Sequence, residues 1–303
     1  MTDASALKVA LVIPVFNRRE TTLQALRSLS RIDTRGLCVR TIVVDDGSTD
    51  RTSEAVREEF PCIELISGDG TLHYAGGTNR GIEAALRWEP DYIVTMNDDS
   101  VFHESFLQKL VGTAHENSRS IVGALLLLWD QPHEVFQVAP IWSTWRGGWK
   151  FPRDLTAFSV PPGPFEVECI VGNCVLFPTK AIKECGLMDE DRFPFGWGDA
   201  QYTMRMRHAA WKLLIDPRAL VWCEPNTYPP PLHTLPVKET LKILFTDDRH
   251  PLNLKRQFVA RWYSCPTKLQ SLTAFAVHCL ILVGKAFRSM SFKIFKRSDR
   301  TPG

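Results

Sequence analysis

The sequence predicts an α/β fold, a mostly parallel central sheet flanked by helices. Three observations carry that prediction. Apolar runs of strand length recur at residues 9–15, 41–44, 63–66, 92–96 and 121–128. Helix-like segments separate consecutive runs, which is the spacing of βαβ units. The first runs are continuously apolar rather than alternating, as in strands covered on both faces.

Taken in order, the run 9–15 holds Pro14 near its end, a position suited to the last residues of a strand or to an edge. Phe16 to Arg19 is a loop, and Thr21 or Thr22 is placed to cap a helix through Leu23, Leu26 and Leu29. The run 41–44 enters Asp45-Asp46-Gly47-Ser48-Thr49-Asp50, followed by a helix with Ala55 and Val56 on its apolar side. Segment 67–81 holds five glycines and leads to a helix over 82–88. The strand 92–96 stops abruptly at Asn97, Asp98 and Asp99, and a helix near 106–111 precedes the run 121–128. Character changes at Trp129. Residues 129–168, with Trp142, Trp145 and Trp149, read as an elaborated loop or hairpin. Strand-like 167–177, a short helix 179–185, a helix after Asp199 and a last strand over 213–221 complete the pattern. A proline run at 229–231 marks a boundary, beyond which the chain reads as helical with a basic end. The expected organisation is 1–230 as one domain, its nucleotide-binding part about 1–128 and its acceptor part about 129–230, with 231–303 as a helical extension.

Composition narrows the function classes. The 303 residues are 44% hydrophobic and 23% charged, with formal net charge +2, which gives no sign of a nucleic-acid binder. The eight cysteines form no CxxC pair and no His-x-x-x-His accompanies them, so a zinc module has no support. Residues 1–8 lack a secretory pattern, and scattered cysteines point to a reducing cytoplasm. No apolar stretch reaches the ~20 residues of a membrane span. The nearest, 272–283, has the length of a buried or interfacial helix.

Asn97-Asp98-Asp99 taken alone fits either a tight turn capping the next helix or a cluster facing a cation or ligand. Asp45-Asp46 ends another parallel strand, and such strand ends converge on one crevice. Acids gathered there call for a compensating charge, and a hard divalent ion with oxygen ligands supplies it. The Asp45-Asp46 pair equally suits hydrogen bonds to a base N–H and a ribose hydroxyl. The glycine segment 68–81 either cradles phosphates at a helix start or is a plain flexible loop, and it matches neither GxGxxG nor GxxxxGK[ST]. Asp199, after Trp197-Gly198, is an N-cap or a general base. His73, His103 and His208 stand alone as packing or surface residues, and Ser48 and Ser100 have no His partner in sequence. The three tryptophans either stack on sugar rings or pack as core or lid.

Five motifs in this order resemble the inverting family 2 glycosyltransferases of GT-A fold, over roughly residues 8–225. They are Ile13-Pro14-Val15-Phe16-Asn17, Val43-Val44-Asp45-Asp46-Gly47-Ser48-Thr49-Asp50, Gly76-Gly77-Thr78-Asn79-Arg80-Gly81, Asn97-Asp98-Asp99, and Phe195-Gly196-Trp197-Gly198-Asp199 followed by Tyr202 and Arg205. The version here looks most like bacterial rhamnosyl- or galactofuranosyltransferases that build cell-surface glycans. The resemblance implies a nucleotide-sugar pocket lined by Pro14 and Asn17, with Asp46 at a uracil or thymine imide. Asn79 is implied near the ribose or diphosphate, Asp98 at the ribose or sugar, and Asp99 on a divalent metal, Mg2+ or Mn2+. It further implies Asp199 as the catalytic base, with Trp197 near the acceptor. The implied activity is transfer from a UDP- or dTDP-sugar to a glycan or polyprenyl-linked hydroxyl. The sequence departs from the family in Asn97 at the first Asp-x-Asp position, in Gln201, and in Cys223 where relatives place a metal-binding His, with His233 as a substitute ligand. The segment 272–283 beside Lys285, Arg288, Lys293, Lys296 and Arg297 suits either a peripheral anchor on anionic membrane at the cytoplasmic face or a helix packed on the protein. Two other classes are weighed. A nucleotidyltransferase expects a glycine-rich start, and Lys8 to Arg19 has no glycine. A catalytically silent nucleotide-sugar-binding or scaffold protein would show no turnover for Asp199→Asn to remove.

Overall fold

The computed structural model describes residues 6–225 and 230–298, without the side chains of His233 and of residues 285–298. The chain divides into two compact units, one of Met1–Pro140 with Phe151–Pro225, the other of Ile141–Lys150 with Asn226–Gly303.

The first unit begins with β1 (Leu7–Val15), α1 (Arg19–Leu29), β2 (Leu37–Asp45), α2 (Thr52–Glu59), β3 (Glu64–Ser67), α3 (His73–Leu86) and β4 (Tyr92–Met96). It continues through β5 (Ser100–Phe102), α4 (Phe106–Glu116), β6 (Ser120–Leu128) and β7 (Val135–Gln137). β8 (Ile141–Ser143) and β9 (Gly148–Lys150) belong to the second unit. The first unit resumes with β10 (Phe165–Glu166), β11 (Cys174–Pro178), α5 (Thr179–Cys185), α6 (Gly198–His208) and β12 (Lys212–Cys223). Its sheet runs β10-β12-β6-β11-β4-β1-β2-β3, with β5 on β12 and β7 on β6. The four strands β3, β2, β1 and β4 are parallel, and so are β6 and β12. β11 lies antiparallel between β4 and β6 and splices the two parallel blocks into one sheet.

The continuous apolar runs have a direct cause. In β1, Val9, Leu11, Ile13 and Val15 point into one core with α1, α2 and α4. Ala10 and Val12 point into the other with α3, α5 and α6. Both faces are covered, so neither set of alternate residues meets water. Pro14 lies beyond the last β1–β4 pair, Val12 with Thr95, where its missing N–H removes no ladder bond on that side.

Two expectations about helix starts need correction. The glycine segment is not a loop ending at 81, because α3 already begins at His73. Its glycines serve close packing: a Cβ at Gly81 would stand 2.3 Å from Val12 Cγ1, and one at Gly77 would stand 3.1 Å from Pro14 Cβ. Glycine costs about 1 kcal/mol in a helix interior. Here that cost is offset by the near approach of α3 to β1. Likewise neither Thr21 nor Thr22 caps α1, which starts at Arg19. The Arg19 N–H instead donates to Asp50 Oδ2 at 2.9 Å, a cap supplied from another loop.

The second unit holds the β8–β9 hairpin, α7 (Val237–Phe245), α8 (Leu254–Ser264) and α9 (Lys268–Ser298). Trp142 and Trp149 face each other across the hairpin edge-on at 5.5 Å, while Trp145 is exposed. The buried Arg261 of α8 donates twice to the Gly147 carbonyl, at 2.9 and 2.6 Å, and so ties the hairpin to the helices. No helix among the described residues is long and apolar enough to cross a membrane.

Candidate active site

Because β1, β2 and β4 are parallel, their carboxyl ends open on one edge of the sheet. Asn17 and Arg18 follow the end of β1, Asp45 ends β2 and Asp46 follows it, and Asn97 to Asp99 follow β4.

Asn17 adopts a left-handed φ of 52°, which Asn tolerates better than most residues. Its N–H donates to Ser48 Oγ at 2.8 Å and its Oδ1 accepts from the Thr49 N–H at 2.7 Å, so the first loop is pinned to the second. Asp45 closes that second loop by accepting from the Ser48 N–H and from Ser53. Asp46 is buried and accepts from the N–H groups of Gly70, Leu72 and His73 at 2.9, 3.2 and 2.9 Å. Its carboxylate therefore holds the loop that starts α3. Gly68 beside it admits no side chain, since a Cβ would lie 2.6 Å from Asp46 Oδ1. Asn79 also spends its amide inside the protein: Nδ2 donates to the Met188 carbonyl and Glu190 Oε2, and Oδ1 accepts from the Met188 N–H.

The acidic turn after β4 has a protein cation on it. Arg18 Nη1 donates to Asp98 Oδ1 at 3.1 Å and Asp99 Oδ2 at 3.2 Å, and Nη2 donates to Glu224 Oε2 at 3.0 Å. Burial opposes the guanidinium charge, but the three acids outweigh it and hold the Arg18 pKa above its ordinary value. Asp98 Oδ2 accepts from Thr22 Oγ1 at 3.2 Å. Burial pushes the Asp98 carboxyl up to about 6 against the pull of Arg18. Two oxygens in this turn are buried and accept nothing: Asn97 Oδ1 and Asp99 Oδ1.

Asp199 opens α6 in its first turn, and Trp197 at the N-cap takes a left-handed φ of 69°. Asp199 Oδ2 accepts from the Gly172 N–H at 2.6 Å, and burial raises its pKa against that bond. The neighbouring residue, Asn173, reaches the other cluster. Its carbonyl and Oδ1 accept from the N–H and Nδ2 of Asn97, both at 3.1 Å, and its Nδ2 meets Cys223 Sγ at 3.5 Å. Gly172-Asn173 therefore positions the Asp199 carboxylate and the Asn97 turn together. Tyr74 donates to the Gly172 carbonyl at 3.1 Å. Burial, then the charge of Asp199 and more weakly that of Asp99, raise its phenol pKa. Both carboxylates thus act on one neighbourhood. Cys223 is buried, bonded to Asn173 and Ser100, and burial pushes its thiol up to about 11, so it stands as a neutral thiol. The side chain of His233 lies outside the described residues.

Sequence reading missed Arg18, Glu224, Tyr74 and Gly172-Asn173. Arg18 had a usable signal, a cation in the loop after β1 on the edge that carries the acids. The others come from distant segments, with no local pattern to mark them.

Comparison with known proteins gives the family and the fold. The glycosyl transferase family 2 model matches residues 10–163, just over half of the chain. An N-acetylglucosaminyl-diphospho-decaprenol L-rhamnosyltransferase of Mycobacterium tuberculosis is 25% identical over 286 residues, covering 87% of this chain and 89% of that protein. Among solved structures, GalNAc-T7 with UDP, GalNAc and Mn2+ superposes with TM-score 0.60 at 14% identity over 90% of this chain. This chain spans 54% of the length of that one. A mannosyltransferase of Pyrobaculum calidifontis with GDP-Man and Mn2+ superposes with TM-score 0.50 at 14% identity over 96% of this chain. Sequence family and GT-A fold concur: the chain belongs to glycosyl transferase family 2 and is a glycosyltransferase.

Proposed function

We propose that this protein transfers a sugar, with inversion, from a UDP- or dTDP-sugar to a hydroxyl of a polyprenyl-diphosphate-linked or cell-surface glycan. The observation that carries the reading is Asp199, a carboxylate of raised pKa fixed by the Gly172 N–H on the segment that also fixes the Asn97-Asp99 turn. Asp199 takes the proton of the acceptor hydroxyl as its oxygen attacks the anomeric carbon. The bond from that carbon to the diphosphate oxygen breaks on the opposite face, so one displacement inverts the configuration. Trp197, beside Asp199, lines the acceptor side. Pro14, Asn17 and Asp98 line the donor side. Asp46 and Asn79 contribute to it through the loops they hold at 70–73 and 188–190.

A divalent ion fits this donor set. Asp99 Oδ1 and Asn97 Oδ1 are buried acceptors without donors, although no three His, Cys, Asp or Glu side chains converge as a cage among the described residues. Magnesium-type sites use one or two carboxylates and complete their shell with substrate phosphates. Held at Asp99, Mg2+ or Mn2+ would supply Lewis-acid neutralisation of the leaving diphosphate.

We further assign the second unit a peripheral contact with anionic membrane. Val237, Leu241 and Phe245 form an exposed apolar stripe on α7 at spacing four, beside exposed Lys238 and Lys242. Leu269, Leu272, Leu280 and Val283 expose a second stripe on α9. The eight free cysteines suit the cytoplasmic face. Flotation with anionic vesicles should be lost in Leu241→Glu/Phe245→Glu, and unchanged flotation removes this contact.

The catalytic reading is tested with Asp199→Asn. Turnover should fall by about 10³-fold or more, while UDP or dTDP still raises the melting temperature. The base form is lost as pH falls through its raised pKa. The acid limb of kcat/KM should therefore lie above the ordinary carboxylate range of about 4. Retained turnover in Asp199→Asn overturns the assignment.

A further inference from the structure

The turn that would take a divalent ion already holds a cation. Arg18 uses Nη1 on both Asp98 and Asp99 and Nη2 on Glu224. Both Asp98 oxygens are thereby occupied, one by Arg18 and one by Thr22, whereas Asp99 keeps Oδ1 without a donor. Glu224 is held in place from a second direction, since its own N–H donates to the Asp99 carbonyl at 3.0 Å. An ion at Asp99 would sit roughly 2 Å from a carboxylate oxygen, close to a guanidinium 3.2 Å from the other oxygen of that residue. The two like charges repel. A diphosphate relieves this conflict. It brings negative charge and oxygen ligands for the ion, and its phosphates match the planar fork of an arginine. The Arg18 side chain is 38% exposed, so it is free to turn outward from the acids.

We propose that Arg18 couples ion binding to donor binding. Without donor it occupies the acidic turn in place of the ion, and when the nucleotide diphosphate arrives it moves onto the diphosphate and releases Asp99 to the ion. Arg18 is on this view a positioning residue that keeps the turn closed to metal until donor is present. The inference rests on the donor and ion reading above.

Mn2+ titration by electron paramagnetic resonance separates the two. It is run on the full chain, wild type and Arg18→Met, alone and with UDP or dTDP. Wild type should bind Mn2+ weakly alone and more tightly with one of the nucleotides. Arg18→Met should bind Mn2+ about tenfold tighter than wild type when nucleotide is absent, and the further gain from nucleotide should shrink. A residue that merely supports the fold would shift affinity the other way. Arg18→Gln keeps a polar side chain on the acidic turn without the guanidinium charge, so it keeps the test available if Arg18→Met fails to fold. It should also tighten Mn2+ binding to the nucleotide-free protein, by less. Equal Mn2+ affinity in wild type and variants overturns the coupling and leaves the donor reading intact. Absence of Mn2+ binding to wild type with either nucleotide overturns the donor reading itself.

Discussion

Gly172→Ala probes the proposed catalytic carboxylate, Asp199, without replacing it. Gly172 has no left-handed φ, so alanine meets no backbone strain there. The obstacle is space. The new methyl would lie 2.5 Å from Asp199 Cβ, 3.1 Å from Cγ and 2.9 Å from Oδ2. Carbon atoms pack at about 3.5–4.0 Å, so one partner must move by roughly 1 Å. Either the Asp199 side chain shifts or the 2.6 Å bond from the Gly172 N–H opens. Overpacking of this kind destabilises by about 1–3 kcal/mol. A reacting group misplaced by 1 Å loses on the order of 100-fold in rate. The expected result is kcat lowered about 100-fold, with the melting-temperature shift from UDP or dTDP retained because the atoms the new methyl meets belong to Asp199 and not to the loops of Asn17 and Asp46. Steady-state transfer assays and thermal shifts read both quantities. A folded Gly172→Ala enzyme with kcat within about twofold of wild type would refute the positioning of Asp199 by Gly172.

Three further predictions concern stability. Gly81→Ala should destabilise by about 1–3 kcal/mol despite the better helix propensity of alanine, because of the 2.3 Å approach to Val12 Cγ1. Val12→Ala should recover part of that loss in a double-mutant cycle, while Gly112→Ala, in α4 with nothing within 4 Å, should stabilise by about 0.5–1 kcal/mol in urea unfolding. Asp216→Ala should cost about 1–3 kcal/mol, since the buried carboxylate accepts from Thr113 Oγ1 at 2.7 Å and from Arg218 Nε and Nη2 at 2.9 Å. Burial opposes its ionisation, yet the bonds from Arg218 and Thr113 hold its pKa below the ordinary value. That stabilisation is present above the unfolded pKa and disappears as pH falls through the lower folded one, so wild type and variant should converge in acid unfolding.

The sequence by itself determined the α/β class, because strands buried on both faces must be apolar throughout, and β1 shows this in the split of Leu11 and Val12 between two cores. It also marked the edge where the acids gather, since Asp46 and Asn97-Asp99 follow strands that read as parallel. Local pattern ran out where a partner comes from far along the chain. The helix in the glycine segment depends on Gly81 meeting Val12, and the start of α1 depends on Asp50 rather than on its own threonines. Only the tertiary structure decided that β11 is antiparallel, that Gly172-Asn173 joins Asp199 to Asn97, and that Asp46 and Asn79 bind protein loops. Above all it placed Arg18 on Asp98, Asp99 and Glu224, residues 80 to 206 positions away. Charge pairing follows distance in space, and composition and periodicity report only order along the chain.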